Sequence, residues 1–178
     1  MIEILKEMNQ MSEGMNDNLV DAYINELSSL LLDKNSSDFN IIGLGAGRMG
    51  YSLRSFIMRL SHMGFNASMI GDTNVPRVKK NSIIFINSSS GETPSILLYA
   101  QQAAEEGGKI FLTSCSMNSS ISQYANRIIQ IPEINSKQLM KSPYEQFSML
   151  LYDYIVIRLM DSLDLDPIQV SHNHSILE

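Results

Sequence analysis

The chain opens with apolar residues spaced three and four positions apart, from Ile4 to Leu30. This spacing places apolar side chains along one face of an α-helix. The segment Gly14 to Asp17 interrupts the pattern, and the polar run Asn35 to Asp38 ends it. We therefore predict a helical lead over residues 1–35, with a break near its middle.

Short segments that are apolar at almost every position follow this lead. Strands with both faces covered have this composition, as in a parallel sheet between helices. Strand and helix patterns alternate, which predicts a doubly wound α/β fold. We expect one domain over residues 1–178: an α/β three-layer sandwich whose sheet core spans 39–135, with a late helix and tail over 142–178. The five strand candidates are Phe39 to Leu44, Ala67 to Ile70 (the weakest), Ser82 to Ile86, Lys109 to Leu112 and Arg127 to Ile131.

Local signals place the ends of the intervening helices. Gly64 suits a left-handed cap after the first of them. Thr93-Pro94 offers a capping hydroxyl and a proline at the first helical position, and Gly107-Gly108 ends that helix. The apolar segment Pro143 to Leu163 predicts a long helix packed against protein. His62, near a predicted helix end, is interpreted as a surface or C-terminal capping residue.

Composition narrows the class of function. The formal net charge is −6 and the longest basic run is Lys79-Lys80, so we expect no nucleic-acid partner. A single cysteine, Cys115, excludes an intrachain disulfide and a cysteine-based zinc site and fits a reducing cytoplasm. We find neither a signal-peptide pattern nor an apolar stretch of the roughly 20 residues that span a bilayer. A soluble cytoplasmic protein is expected.

A glycine-rich loop, Gly43 to Gly50, joins the first predicted strand to a helix. Such loops let the backbone approach a ligand, and the helix N-terminus that follows attracts anions. Arg48 adds a permanent cation, although it could equally form a salt bridge to a neighbouring helix. Gly45, Gly47 and Gly50, with Asp72 further on, also match a dinucleotide-binding fingerprint. A tight structural turn is the third interpretation.

A second loop, Asn87 to Thr93, is rich in hydroxyls and again lies between a strand and a helix. Hydroxyls, a glycine and a helix N-terminus together favour a phosphate monoester. The alternative is that its serines and threonine only cap the helix.

The segment Ser142 to Glu145 opens the long late helix and matches a capping box, in which Glu145 would only reach back to the Ser142 amide. The alternative is that the Glu145 carboxylate serves as a base. Near the chain end, His172 and His174 form an H-x-H pair, for which a metal site is the weaker interpretation because no cysteine or carboxylate pair lies nearby.

Together these segments resemble the sugar-isomerase (SIS) domain family, and more narrowly the 6-phospho-3-hexuloisomerases, over nearly the whole chain. That family carries G-A-G-R-S-G, G-E-T-x-T-P, S-G-S-G-E-T, T-x-x-E-Q and a terminal R-H-A-N-L-E. In this chain the matching segments are Gly45 to Gly50, Gly71 to Pro76, Ser88 to Thr93, Ser142 to Gln146 and Asn173 to Glu178. The resemblance implies a flavodoxin-like sandwich and makes Asp72 part of a turn, so that the dinucleotide-binding oxidoreductase becomes a minor alternative.

By this resemblance the protein moves a carbonyl between C3 and C2 of a hexulose 6-phosphate, giving fructose 6-phosphate through an enediol, without metal or redox cofactor. Glu145 corresponds to the proposed base and His174 to the tail histidine that moves protons on sugar oxygens. Arg48 would stabilise the enediolate or hold a hydroxyl. The substrate-binding residues implied are Gly47, Arg48, Ser88, Ser89, Ser90, Gly91 and Thr93.

Several positions depart from the family pattern: Met49 replaces a serine, Ser89 a glycine, Asn173 an arginine and Ile176 an asparagine. These departures motivate a second hypothesis, a non-catalytic sugar-phosphate sensor. The family also suggests a homotetramer, and the apolar surface of the first and late helices predicts self-association. Because the chain has no second domain to support its tail, we expect His174 to enter the site of a neighbouring subunit.

Overall fold

The computed structural model describes residues 1–32 and 39–174. Five parallel strands form one sheet in the order β2-β1-β3-β4-β5, which confirms the predicted α/β class. Each strand overlaps its predicted segment. Their bounds are β1 Ile41–Gly45, β2 Ala67–Met69, β3 Ile83–Asn87, β4 Lys109–Ser114 and β5 Arg127–Gln130.

The lead is helical and breaks after Glu13, as expected, while the predicted turn at Asn35 to Asp38 lies outside the described residues. Gly64 follows the first sheet-flanking helix with a φ of 93°, in the left-handed region that favours glycine. A short sixth helix precedes the tail and was not predicted. The helices are α1 Ile2–Glu13, α2 Asp17–Leu32, α3 Gly47–His62, α4 Pro94–Glu105, α5 Ser142–Ser162 and α6 Pro167–His172, with a 3₁₀ turn at Ser122–Tyr124.

Alternate strand residues face opposite layers, because successive side chains in a strand point to opposite faces. On β3, Ile83 and Phe85 join the core formed with α1, α2, α3 and α5. Ile84 and Ile86 pack toward α4 on the other face. The strands β1 and β3 are therefore buried on both faces, which explains why their sequences are apolar at almost every position.

A chain of aromatic contacts ties the larger core together. Tyr23 of α2 meets Phe111 of β4 edge to face, with ring centroids 4.9 Å apart. Phe111 contacts Phe85 at 5.8 Å, Phe85 meets Phe56 of α3 at 5.0 Å, and Phe56 stacks on Tyr152 of α5 at 4.9 Å. Each such pair contributes about 0.5–1.5 kcal/mol beyond its area burial. This packing holds α3 and α5 side by side, with both N-termini near the carboxyl edge of the sheet.

Of residues 1–32 and 39–174, none belongs to a helix with the length and apolar character needed to cross a membrane.

Candidate active site

Three segments meet beyond the carboxyl ends of β1 and β3, where ligands bind in open α/β sheets. They are the glycine-rich turn before α3, the hydroxyl loop before α4, and the start of α5. An open pocket of about 200 Å³ lies among them. Its lining residues are Ala46, Met49, Asn87, Ser88, Ser89, Ser90, Thr93 and Lys141.

Close packing explains the glycines of the first segment. A Cβ on Gly45 would lie 2.8 Å from the Cα of Gly50, and one on Gly50 would lie 2.6 Å from the carbonyl oxygen of Gly45. Gly47, at a φ of 56°, takes the left-handed turn into α3. Strand-to-helix packing therefore accounts for this glycine pattern without a dinucleotide.

The hydroxyl loop gathers its donors around Ser88. The hydroxyl oxygens of Ser88 and Thr93 lie 3.4 Å apart, and the Gly91 amide donates to Ser88 Oγ at 3.2 Å. Ser90 is exposed and accepts a hydrogen bond from the Glu92 amide at 3.1 Å. Ser89 is buried, with its hydroxyl 3.4 Å from the sulfur of Cys115.

The capping hydroxyl predicted for α4 is wrong. Thr93 occupies the N-cap, but its side chain makes no capping hydrogen bond within the described part of the chain. It contacts Ser88 instead, because the loop folds back over the helix start.

The segment around Ser119 and Ser120 contacts the hydroxyl loop. Gly91 has a φ of 68°, and a Cβ there would overlap the side chain of Ser119. The Glu92 carboxylate accepts a hydrogen bond from the Ser120 amide at 2.7 Å, and hydrogen bonding from Ser120 lowers the pKa of Glu92. These contacts hold the backbone of the hydroxyl loop in place.

Arg48 and Glu145 form the charged part of the site. Nε of Arg48 lies 2.5 Å from Oε2 of Glu145, an ion-pair contact without hydrogen-bond geometry, and Nη1 donates to the Ser142 hydroxyl at 3.0 Å. The predicted salt bridge to a neighbouring helix is therefore present. The Glu145 side chain is 20% exposed, and its Oε2 atom, which faces Arg48, is buried.

The capping-box interpretation of Glu145 is wrong. Ser142 lies within the first turn of α5, and its hydroxyl donates to the Leu139 carbonyl at 2.8 Å. The Glu145 carboxylate is engaged by Arg48 across the helix pair and not by the Ser142 amide. Glu145 therefore pairs with Arg48 from another helix and not with the capping partner that the local motif suggested.

His174 lies away from these segments in its own chain. Its ring centroid is 5.0 Å from that of His62, which lies in the last turn of α3. The side-chain amide of Asn173 donates to the His62 carbonyl at 2.7 Å. Arg48 lies near the other end of this 16-residue helix, about 21 Å from His62 along the helix axis. The rest of the tail motif, including Ile176, lies outside the described residues.

The contact with the tail also corrects the interpretation of His62. The surface position is wrong, because His62 is buried with 8% of its surface exposed, and it lies in the last turn of α3. Among the described residues, no group of three or more His, Cys, Asp or Glu side chains could hold a metal ion.

Sequence reasoning missed a buried polar network beneath the pocket. The amide of Asn87 donates to Ser52 Oγ at 2.9 Å and to the Met49 carbonyl at 3.1 Å, and accepts from the Tyr144 hydroxyl at 2.6 Å. Ser148 Oγ lies 3.0 Å from that of Ser52. Burial raises the pKa of Tyr144 well above its ordinary value, so the phenol stays a donor. The sequence signal for this network was Asn87 itself, a polar residue at the end of the otherwise apolar strand β3.

Lys141 was also missed, although it lines the pocket. Its Nζ lies 2.5 Å from Oε1 of Glu133, and this contact raises the pKa of Lys141 and lowers that of Glu133. The sequence signal for Lys141 was its position directly before the segment Ser142 to Glu145.

Asp72 is committed to a turn at the end of β2, as the resemblance implied. It accepts a hydrogen bond from the Met69 amide at 3.0 Å and pairs with Arg54 at 2.9 Å. The hydrogen bond from Met69, and then that from Arg54, lowers the pKa of Asp72. The carboxylate that a ribose would need is occupied.

Comparison with known proteins agrees with this geometry. The SIS domain matches residues 38–152, more than half of the chain, so the chain belongs to the SIS domain family. A Bacillus subtilis relative named 3-hexulose-6-phosphate isomerase is 35% identical over 167 residues, covering 88% of this chain and 90% of that protein. A Methanocaldococcus jannaschii relative of the same name is 30% identical over 155 residues, covering 86% and 85%.

Solved structures share the architecture. A crystal structure from Methanococcus jannaschii, for which a function of 3-hexulose-6-phosphate isomerase was inferred, has a TM-score of 0.73 at 26% identity and covers 90% of this chain and 98% of its own. The Vibrio vulnificus NanR protein complexed with ManNAc-6P has a TM-score of 0.73 at 16% identity, covering 95% of this chain and 63% of its own. The second likeness concerns the fold alone.

Proposed function

We propose that this protein interconverts a 3-hexulose 6-phosphate and fructose 6-phosphate by moving a proton between C2 and C3. Several relatives named 3-hexulose-6-phosphate isomerase support a sugar-phosphate isomerase. The observation that carries the proposal is that a carboxylate paired with a cation, Glu145 with Arg48, lies in the first turn of α5. The adjacent residue Tyr144 hydrogen-bonds to Asn87, which lines the pocket of the hydroxyl loop.

The hydroxyl loop is the proposed phosphate site. Ser88, Ser90 and Thr93 supply hydroxyls, and the N-terminus of α4 supplies free amides and the positive end of a helix dipole. The backbone at Gly47, Ser89 and Gly91 approaches the ligand. Binding the unreactive phosphate orients the sugar carbons and lowers the entropic cost of reaction.

Glu145 is the proposed base. Its carboxylate removes the proton from C2 of the 3-ketose, while the C3 carbonyl oxygen takes up a proton, which gives a C2–C3 enediol. The same proton returns to C3 as the C2 hydroxyl loses its own, leaving the carbonyl at C2. Arg48, already paired with Glu145, is placed to stabilise the negative charge that develops on the enediolate oxygens.

His174 is proposed to complete the site of a neighbouring subunit, where its imidazole moves protons on sugar oxygens. Its position at the far end of α3 from Arg48 supports a role in another chain. Exposed apolar side chains on α1 and α5 favour self-association, and a homotetramer remains our prediction, as do a single domain over 1–178 and a cytoplasmic location. These side chains are Ile2, Leu5, Met149, Leu150, Tyr154 and Ile157.

A coupled assay tests the reaction. Purified protein is given 3-hexulose 6-phosphate, and fructose 6-phosphate is detected enzymatically. We expect Glu145→Gln to lower kcat by about 10²–10⁴-fold, because it removes the base and keeps its shape. Asp161→Asn, an exposed change on the same helix, is the control. Absence of turnover by the wild-type protein would contradict the proposal, as would full activity of the Glu145 variant.

Mixing two inactive variants tests the role of His174. Glu145→Gln subunits retain His174, and His174→Asn subunits retain Glu145, so a mixed oligomer would contain some complete sites. Recovery of activity after co-refolding supports a site shared between chains. If the mixture stays as inactive as its components, the shared site is wrong.

A second candidate is a sugar-phosphate sensor without catalysis. Met49 favours it, since a thioether lines the pocket where the family has a serine hydroxyl. This function predicts that fructose 6-phosphate raises the thermal midpoint of a protein that shows no turnover in the coupled assay.

A further inference from the structure

Lys141 is a cation at the proposed phosphate site that neither the sequence motifs nor the family resemblance assigns. Among the described residues that line this pocket it is the one positively charged side chain. Arg48, the other cation nearby, is engaged by Glu145. A sugar phosphate carries about two negative charges near neutral pH, so the hydroxyls and amides leave a charge to balance.

Met49, on the glycine-rich side of the same pocket, explains why such a cation would be needed here. The family pattern places a serine at this position, with a hydroxyl that reaches toward the phosphate. Met49 lines the pocket with an apolar side chain instead. One neutral donor is thus absent from a pocket that contains one additional cation.

The resting position of Lys141 is held by its own loop. The ammonium lies 2.5 Å from Glu133, and both side chains are more than half exposed. An exposed ion pair of this kind contributes little to stability, so exchanging its carboxylate for another anion costs little. The loop itself is anchored to α1, because Ser136 and Gln138 donate hydrogen bonds to Glu7 at 2.8 and 2.6 Å.

We propose that Lys141 is a specificity-determining residue that leaves Glu133 and binds the substrate phosphate held by Ser88 to Thr93, replacing the hydroxyl absent at Met49. This role rests on the proposed phosphorylated substrate. Glu133 lines a neighbouring pocket together with Lys141, holds the ammonium there when no anion is bound, and competes with the phosphate for it. The two side chains therefore have opposite effects on affinity.

Calorimetric titration with fructose 6-phosphate at low salt measures these effects. We expect Lys141→Met to raise Kd about 10-fold or more, since hydrogen bonds to charged groups are among the strongest. Lys141→Arg should restore most of the affinity. Glu133→Gln should lower Kd roughly 2- to 5-fold, because it removes an exposed competing carboxylate. Lys137→Met, an exposed lysine of the same loop, is the charge-matched control and should leave Kd unchanged.

Further readouts separate phosphate binding from structural support. Inorganic phosphate should compete with fructose 6-phosphate less well in Lys141→Met than in wild type, and the thermal midpoint without ligand should be the same. In the isomerase assay this variant should raise KM with little change in kcat, whereas Glu145→Gln should lower kcat.

Several results would overturn the inference. Equal Kd values for Lys141→Met and wild type would overturn it. Weaker binding by Glu133→Gln would also overturn it, and this second variant keeps Lys141, so it tests the inference even if Lys141→Met fails to fold. Wild-type protein that binds neither fructose 6-phosphate nor inorganic phosphate would refute the phosphate site and this role together. Binding without turnover would refute the isomerase and leave the role of Lys141 supported or overturned by the Kd series alone.

Discussion

Replacing Asn87 by alanine removes the side chain that links β3 to both helices of the site. Asn87 is fully buried, and its side chain has four hydrogen-bond partners. The two N–H groups of its amide are shared among Ser52, Ser148 and the Met49 carbonyl, and its oxygen accepts from Tyr144. The Asn87→Ala variant therefore loosens the contact between α3 and α5 from the sheet side.

The size of the stability loss depends on which hydrogen bonds the partners of Asn87 retain in the variant. Tyr144 retains its bond to the Thr113 carbonyl at 2.8 Å, and Ser52 and Ser148 retain each other at 3.0 Å. Full desolvation penalties are thus avoided, and each lost bond costs about 1 kcal/mol net. The two shortest bonds weigh most, so we expect the free energy of unfolding to fall by about 2–4 kcal/mol.

Urea unfolding followed by circular dichroism measures this loss, at one fixed protein concentration because association would shift the midpoint. Ser82→Ala is the matched control, since Ser82 is equally buried and accepts one described hydrogen bond, from the Lys79 amide at 2.9 Å. It should cost about 1 kcal/mol. If Asn87→Ala costs no more than Ser82→Ala, the network does not join the helices as argued.

Three further outcomes are expected. Gly91→Ala should lower the unfolding free energy by about 1–3 kcal/mol and weaken fructose 6-phosphate binding, while Gly64→Ala, with open space around its Cβ position, should affect stability alone; equal binding losses in titrations would contradict this. Because the pKa of Asp72 is lowered, its stabilisation is present above the ordinary carboxyl pKa and lost as pH falls through the lowered value, so the difference in urea midpoint between wild type and Asp72→Asn should shrink from pH 7 to about pH 3. Burial raises the pKa of Cys115, so iodoacetamide should modify it much more slowly in native than in urea-unfolded protein, as mass spectrometry would show.

The sheet and most helices could be predicted because each depends on a local pattern. The sequence of β3 is an apolar run because both of its faces are buried. The start of α4 is indicated by Thr93-Pro94, since proline is favoured at the first helical position. The segments that form the pocket could be found in the same way, since glycines and hydroxyls cluster within a few residues.

The side-chain partners could not be predicted in this way. The local motif pairs Glu145 with Ser142, whereas the fold brings Arg48 from another helix to the carboxylate. His62 suits a surface position by composition, and the chain tail covers it.

By itself, the sequence determined the order of helices and strands, the parallel sheet and the phosphate-site candidates, because helical and strand periodicity and turn chemistry act over a few residues. Only the tertiary structure decided that Arg48 meets Glu145, that Asn87 joins two helices to β3, and that Lys141 lines the pocket. Such contacts join residues far apart in the chain. They depend on how α3 and α5 pack against the sheet, which no local pattern specifies.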